Sequence, residues 1–314
     1  MYRRTNYCAS VAAELTDRVR DWRARGRMET FRDRRIHVFD REGEETPLVL
    51  LHGFPSSSFD WRALLAETDH SALAFDFLGF GLSDKPRDHV YSLAWQADLA
   101  EELVGRIIGD RPVFLVAHDM GTSVATELLA RDLEGTLTID IAGAVLFNGS
   151  IVLERASLTP SQKLLRSRFG PIAARLSSER FFRHQFGGVF SDSHPLSDEE
   201  AADQWALLCH NGGRTLGHRL VHYLGERVEL ADRWHGAIRD WPGALSFAWG
   251  CEDPVATLAV LDALVELRPT APVTRLPGLG HYPQLEDPQT MAEVLRGAVA
   301  HSAIDSSSRA RSSS

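Results

Sequence analysis

Short unbroken apolar runs recur along the chain and alternate with stretches whose apolar residues fall three or four apart. Pro47–Leu51, Ala72–Phe77, Pro112–Ala117, Ile141–Phe147, Ala244–Trp249 and Ala271–Leu276 are of the first kind, the pattern of strands buried on both faces of a parallel sheet. Leu93–Ile108, Gly121–Leu133, Val255–Leu267 and Pro288–His301 are of the second kind and read as helices. Such alternation predicts an α/β fold with a mostly parallel sheet flanked by helices on both faces. Two shorter segments, Glu29–Asp33 and Arg35–Asp40, precede the first buried run.

The alternation breaks between about Gly149 and Gly243, where roughly ninety residues are patterned as helices with no strand. This predicts an inserted helical cap over 150–235, with the α/β core formed by 28–149 and 236–304. Ahead of the core, Val11, Leu15, Val19 and Trp22 lie on one helical face, so residues 1–27 read as a helical extension. The serine-rich segment 305–314 has nothing to bury and reads as a disordered tail.

Composition narrows the class. With 314 residues, 44% of them hydrophobic, the chain can bury a large core. A formal net charge of −9 argues against nucleic acid as a partner, although seven arginines crowd the first 27 residues. Three cysteines, Cys8, Cys209 and Cys251, are odd in number and lack metal-ligand spacing, which fits a reducing compartment. No apolar run is long enough to span a bilayer, and the amino end is charged where a signal peptide would be apolar. The expectation is a cytoplasmic protein with a small-molecule substrate, no membrane partner and no metal; oligomeric state is not legible.

Chemistry collects where strands end, because the carboxyl edge of an open parallel sheet is where ligands bind. After the first buried strand comes His52-Gly53-Phe54-Pro55, whose glycine permits a sharp turn that aims the Phe54 amide inward. After Pro112–Ala117 comes His118-Asp119-Met120-Gly121, with small residues at 117 and 121 as a tight strand-to-helix elbow needs. Asp119 at that elbow reads either as a nucleophile beside an anion-stabilising pair of amides, Phe54 and Met120, or as a helix N-cap. Glu252-Asp253-Pro254 and Gly280-His281-Tyr282-Pro283 follow two later strands. They supply an acid and a histidine, so the order along the chain is nucleophile, acid, histidine. Asp253, next to the proline, is favoured as the orienting acid, with Glu252 the alternative. Asn148 offers an amide at another strand end but no acid.

These residues resemble the α/β-hydrolase superfamily, and within it the aspartate-nucleophile branch of epoxide hydrolases and haloalkane dehalogenases, over about residues 28–302. Three runs, Leu51–Ser58, Phe75–Pro86 and His281–Pro288, are also similar to the mesoderm-specific transcript proteins. The resemblance implies an α/β-hydrolase fold with Asp119 as nucleophile, His281 as general base, Asp253 as its orienting acid and the Phe54 and Met120 amides as oxyanion hole. Tyr223, in His222–Arg227, resembles the ring-opening tyrosine of epoxide hydrolases and is otherwise a packed aromatic. At the second donor position Phe181 and Phe182 carry no hydroxyl, which leaves His184.

A carboxylate displaces leaving groups at saturated carbon and forms an alkyl ester, which water then hydrolyses. Dehalogenases resemble this chain except that they place an indole after the nucleophile and often an amide in the first loop, where Met120 and Phe54 stand here. The reading is therefore epoxide hydrolysis to a vicinal diol, with haloalkane dehalogenation or a non-catalytic ligand-binding or interaction protein as alternatives. No cofactor is required, because protein groups and water supply every step.

Overall fold

A computed structural model describes residues 14–312, and side chains as far as Ile304. Eight strands form one sheet: β1 (Arg27–Phe31), β2 (Arg34–Arg41), β3 (Leu48–Leu51), β4 (Ala72–Phe75), β5 (Val113–His118), β6 (Ile141–Phe147), β7 (Ala244–Gly250) and β8 (Val273–Leu276). Their order across the sheet is β1-β2-β4-β3-β5-β6-β7-β8. Only β1 and β2 run antiparallel to their neighbours, and every pairing from β4 to β8 is parallel. β3 and β5 are buried at every position, as the unbroken apolar runs require of strands covered on both faces.

Helices α1 (Asp17–Arg25), α2 (Arg62–Ala66), α3 (Leu93–Ile107) and α4 (Met120–Leu133) belong to the first half of the chain. Between β6 and β7 come α5 (Pro160–Arg166), α6 (Gly170–Leu176), α7 (Glu179–Gly187), α8 (Asp198–Cys209), α9 (Gly217–Leu220), α10 (Tyr223–Glu229) and α11 (Ala231–Asp240), with no strand among them. The last three are α12 (Leu258–Leu267), α13 (Pro283–Glu286) and α14 (Pro288–Ser312). α11 begins five residues before the core was expected to resume. It packs on α4, where Trp234 Nε1 and Arg233 Nε both donate to Glu127 Oε2, at 3.0 and 2.9 Å.

Two expectations meet differences. The backbone of the supposed disordered tail continues α14 to Ser312, leaving only the last two residues outside the described chain. Propagating an existing helix adds one hydrogen bond per residue fixed, which composition alone does not register. The amino-terminal helix starts at Asp17 behind the N-cap Thr16, and Val11 and Cys8 lie outside the described residues.

That helix joins core to cap. Trp22 stacks on Phe39 of β2 with centroids 4.7 Å apart. From the same helix Arg18 reaches Glu199, Glu200 and Asp203 of α8 at 2.7, 2.9 and 3.1 Å. A second tie comes from the Phe75–Pro86 run. Lys85 Nζ donates to the carbonyls of Gly81, Leu207 and His210 at 2.6, 3.0 and 2.9 Å, and burial pushes its pKa down to about 7. Asp76 organises the rest of the run, accepting from the Ser58 and Leu82 amides at 2.8 and 2.6 Å. Among the described residues no helix is long and apolar enough to cross a membrane.

Candidate active site

Register brings the predicted loops together. Leu51 pairs with Ala117, so the chain leaving β3 at His52 and the chain leaving β5 at Asp119 emerge side by side. His118 pairs with Phe147, Phe147 with Ala248, and Gly250 with Leu276, which gathers Asn148, Asp253 and His281 at the same edge.

Asp119 occupies the elbow with φ 44° and ψ −110°, a left-handed conformation rare for a residue with a side chain. Asp119 stands at the N-cap position of α4, the alternative reading of this residue, but its side chain makes no capping bond there. Its Oδ2 instead accepts from the Phe54 amide at 2.9 Å. Met120 is the first residue of α4, whose amino terminus favours an anion. The close approach of elbow and facing loop leaves no room for a side chain at Gly53 or Gly121: a Cβ on Gly53 would lie 2.8 Å from Asp119 Cβ, and one on Gly121 would lie 2.2 Å from the Leu51 carbonyl oxygen. Since that second obstacle is backbone of a central strand, Gly121→Ala should cost at least about 1–3 kcal/mol of stability, read from denaturant unfolding.

His281 Nδ1 donates to Asp253 Oδ2 at 2.7 Å, both groups being buried. The other oxygen of Asp253 accepts from the Val255 and Ala256 amides at 2.7 and 3.0 Å. Asn148 Nδ2 donates to Oδ2 as well, at 2.7 Å. Burial opposes the charge on Asp253, yet His281 and these hydrogen bonds hold its pKa below the usual carboxylate range. Burial also opposes charge on His281, but the Asp253 carboxylate raises the imidazole above its ordinary value. Glu252 is exposed, so the proline-adjacent acid is the one that meets the histidine. The His281 loop is held by Glu286, which accepts from the amides of Gly280, Tyr282 and Ser191 at 2.7, 3.0 and 3.1 Å.

Two further histidines of the motifs are structural. His52 Nε2 accepts from the Phe77 amide at 3.0 Å, and burial drives its pKa down to about 4. His118 lies 2.7 Å from the His281 carbonyl through Nε2, and burial and the neighbouring imidazole push its pKa down to about 3. A neutral ring therefore donates there and props the His281 loop.

Tyr223 is buried, its ring 5.7 Å from that of Phe54, and among the described residues its hydroxyl makes no well-formed hydrogen bond, with Gln162 the side chain near it. Burial, then the nearby Asp119 charge, push its pKa up, so the phenol keeps its proton. His184 is corrected by the structure. It is exposed on α7, because Phe182 and Phe186, four residues apart, take the inward face of that helix.

Arg227 is the residue that sequence reasoning missed. It is 1% exposed, donates through Nη2 to the Asp119 carbonyl at 2.9 Å, and brings the same nitrogen 3.7 Å from Asp119 Oδ1. Nε donates to Ser123 Oγ at 2.9 Å, and the guanidinium lies 4.8 Å above the Tyr223 ring. A single arginine in a helical run ordinarily reads as solvated charge. The available signal was its spacing of four from Tyr223, which places both on one face of α10.

Over these groups lies a cavity of about 440 Å³ whose base includes Phe54, Pro55, His281 and Tyr282 and whose walls are mainly Leu, Phe and Ala from the cap. Asp119 and Tyr223 do not themselves line it; both contact Phe54, which does. Among the described residues no group of three or more His, Cys, Asp or Glu is placed to hold a metal ion.

Comparison with known proteins agrees with this architecture. A model of the alpha/beta hydrolase family matches residues 48–294. LipZ of Mycobacterium tuberculosis, a protein named as a hydrolase, is 55% identical over 276 residues, covering 88% of this chain and 96% of that protein. The human mesoderm-specific transcript homolog protein is 34% identical over 300 residues, covering 91% and 89%. Among solved structures, the haloalkane dehalogenase DbeA of Bradyrhizobium elkani superposes with a TM-score of 0.75 at 21% identity, covering 89% of this chain and 98% of that one, a likeness of fold. A family match over residues 48–294, joined to relatives aligned over nearly their whole length, makes this chain a hydrolase of the α/β-hydrolase family.

Proposed function

We propose that the protein hydrolyses an apolar small molecule through a covalent ester on Asp119, and that the substrate is an epoxide opened to a vicinal diol. The carrying observation is the strained elbow that holds Asp119 with one oxygen on the Phe54 amide, beside a buried His281–Asp253 pair. Oδ1 attacks an epoxide carbon, the ring C–O bond breaks, and the ring oxygen takes the proton of Tyr223. His281 then removes a proton from water, and the resulting hydroxide adds to the Asp119 carboxyl carbon. The oxyanion forms on Oδ2, where each amide of such a hole contributes about 3–4 kcal/mol. Collapse expels the product alkoxide, which takes the proton of the new Asp119 carboxyl group and leaves as the diol with one water oxygen kept on the Asp119 carboxylate, while the proton on His281 passes through water to the Tyr223 phenolate. Arg227 acts as a positioning residue, keeping the elbow carbonyl and the attacking oxygen in place from the cap side.

Epoxide is favoured over haloalkane because a protonated phenol lies against the site, whereas Phe54 and Met120 have no side-chain donor for a halide. The test is intact-protein and peptide mass spectrometry of His281→Ala incubated with epoxides and with haloalkanes. An epoxide adduct on Asp119 is expected. An adduct from haloalkanes alone would transfer the reading to dehalogenation, and none from either would leave a ligand-binding module. In the same assay, Tyr223→Phe should slow ester formation from epoxides by about 10²–10⁴, the range of general-acid contributions, without slowing ester hydrolysis.

A further inference from the structure

Residues 160–183 carry Lys163, Arg166, Arg168, Arg175, Arg180 and Arg183 against one acid, Glu179: a net +5 in a chain of −9, so that the remainder carries −14. Arg183 is paired with Glu179 and Asp198. The other five are exposed and form no ion pair among the described residues.

The same stretch exposes Leu164, Phe169, Ile172, Leu176 and Phe181 by 43, 52, 57, 77 and 45%, five of the eleven large apolar side chains left exposed in the described chain. Exposed apolar residues scattered singly need no explanation; a cluster within eighteen residues does. Leu164, Leu176 and Phe181 also line the cavity, so the cluster is the rim of its mouth.

Cations interleaved with apolar groups fit the headgroup–acyl boundary of a lipid surface: the basic groups meet phosphates while the apolar side chains enter the hydrocarbon edge. The core of a protein partner's interface, by contrast, is depleted of charge. The −14 elsewhere adds orientation, since an anionic surface on balance repels the rest of the chain. We propose that the rim built by α5, α6 and the start of α7 docks on an anionic phospholipid bilayer, so that an apolar substrate passes from the bilayer into the cavity without crossing water. This departs from the sequence expectation of no membrane partner, which rested on the lack of an apolar run long enough to span a bilayer; a surface contact needs no span.

Co-sedimentation with phosphatidylcholine vesicles, with and without phosphatidylserine, tests this on the full chain. Binding to the serine-containing vesicles is expected, and it should collapse when ionic strength rises from about 0.1 M to 1 M, which shortens screening from roughly 10 Å to 3 Å. Arg168→Gln with Arg175→Gln should weaken it about 25-fold, at roughly fivefold per basic residue, whereas the corresponding lysine pair should retain it. Ile172→Ser with Leu176→Ser should also weaken it. All these side chains are exposed, so the thermal midpoint should stay put. Asp119→Asn should bind like wild type, which separates this proposal from the nucleophile assignment. No binding to either vesicle, indifference to the charge pair, or a solution dimer that Leu176→Ser dissociates would overturn the proposal; the last would make the rim an interface between copies.

Discussion

Asp119→Asn is expected to lower turnover by roughly four to six orders of magnitude, the scale seen when a covalent nucleophile is removed. The substitution is isosteric, and its side-chain carbonyl can still accept from the Phe54 amide that now binds Oδ2 at 2.9 Å. It loses the anionic Oδ1 that must displace the leaving oxygen, and an amide is a poor nucleophile. Arg227 keeps its bonds to the Asp119 carbonyl and Ser123, so the fold should hold while the buried guanidinium loses its carboxylate neighbour. Single-turnover kinetics with intact-mass detection reads both halves of the claim: no product and no ester. Because the neighbouring His281 and water can deamidate such an asparagine, Asp119→Ala serves as the parallel variant. Turnover within tenfold of wild type in the alanine protein would remove Asp119 from the chemistry.

Asp253→Asn should cost about 10⁴ in kcat, the effect of letting a catalytic histidine take the wrong tautomer. In the native protein the Nδ1 proton of His281 is held on Asp253 Oδ2 at 2.7 Å, leaving Nε2 to receive the proton of water. An amide there can turn its NH₂ toward Nδ1 and so place the proton on Nε2. Glu252→Gln, altering an exposed side chain, should leave kcat unchanged; the opposite pair of outcomes would reassign the acid.

The same pair predicts a pH dependence with a definite sign. His281 must be neutral to act as base, and its pKa is raised above 6.5, so kcat should climb with pH to a midpoint above that value, and the midpoint should fall in Asp253→Asn. Stability runs the other way. A histidine whose folded pKa is raised contributes stability that is complete below 6.5 and is lost as pH rises through the folded value. Asp253, with its folded pKa lowered, contributes above 3.8 and loses that contribution as pH falls through the folded value. The protein should therefore gain activity over the pH range in which it gives up the ion-pair part of its stability. Thermal melts between about pH 5 and pH 9, wild type against Asp253→Asn, check this through the linkage slope.

The comparison of sequence with structure follows from what each kind of signal reports. Strand cores such as Leu48–Leu51 and Val113–His118 were legible because burial on both faces demands unbroken apolar runs, and the elbow because its backbone demands small neighbours around Asp119. Asp119, Asp253 and His281 were legible as candidates because they sit at strand ends, where the topology of a parallel sheet puts functional groups. The fold class and the order along the chain of elbow aspartate, acid and histidine were thus properties of the sequence by itself.

Other features depended on contacts between segments far apart in the chain. Glu252 and Asp253 differ by one position, and only the turn after β7 decides that Asp253 points at His281 while Glu252 meets solvent. His184 and Phe182 were equally available until the amphipathic face of α7 turned one out and the other in. Arg227, 108 residues from Asp119, became part of the site because the cap folds its helix against the elbow; no local pattern reports that a charge is buried. Local propensity and periodicity act within a turn or two of chain, so the sequence alone determined the sheet, the elbow and the chemical cast. Packing between the inserted helices and the sheet is a long-range balance of burial and pairing, and only the tertiary structure decided which acid meets His281, which of Phe182 and His184 turns inward, and that Arg227 reaches the elbow.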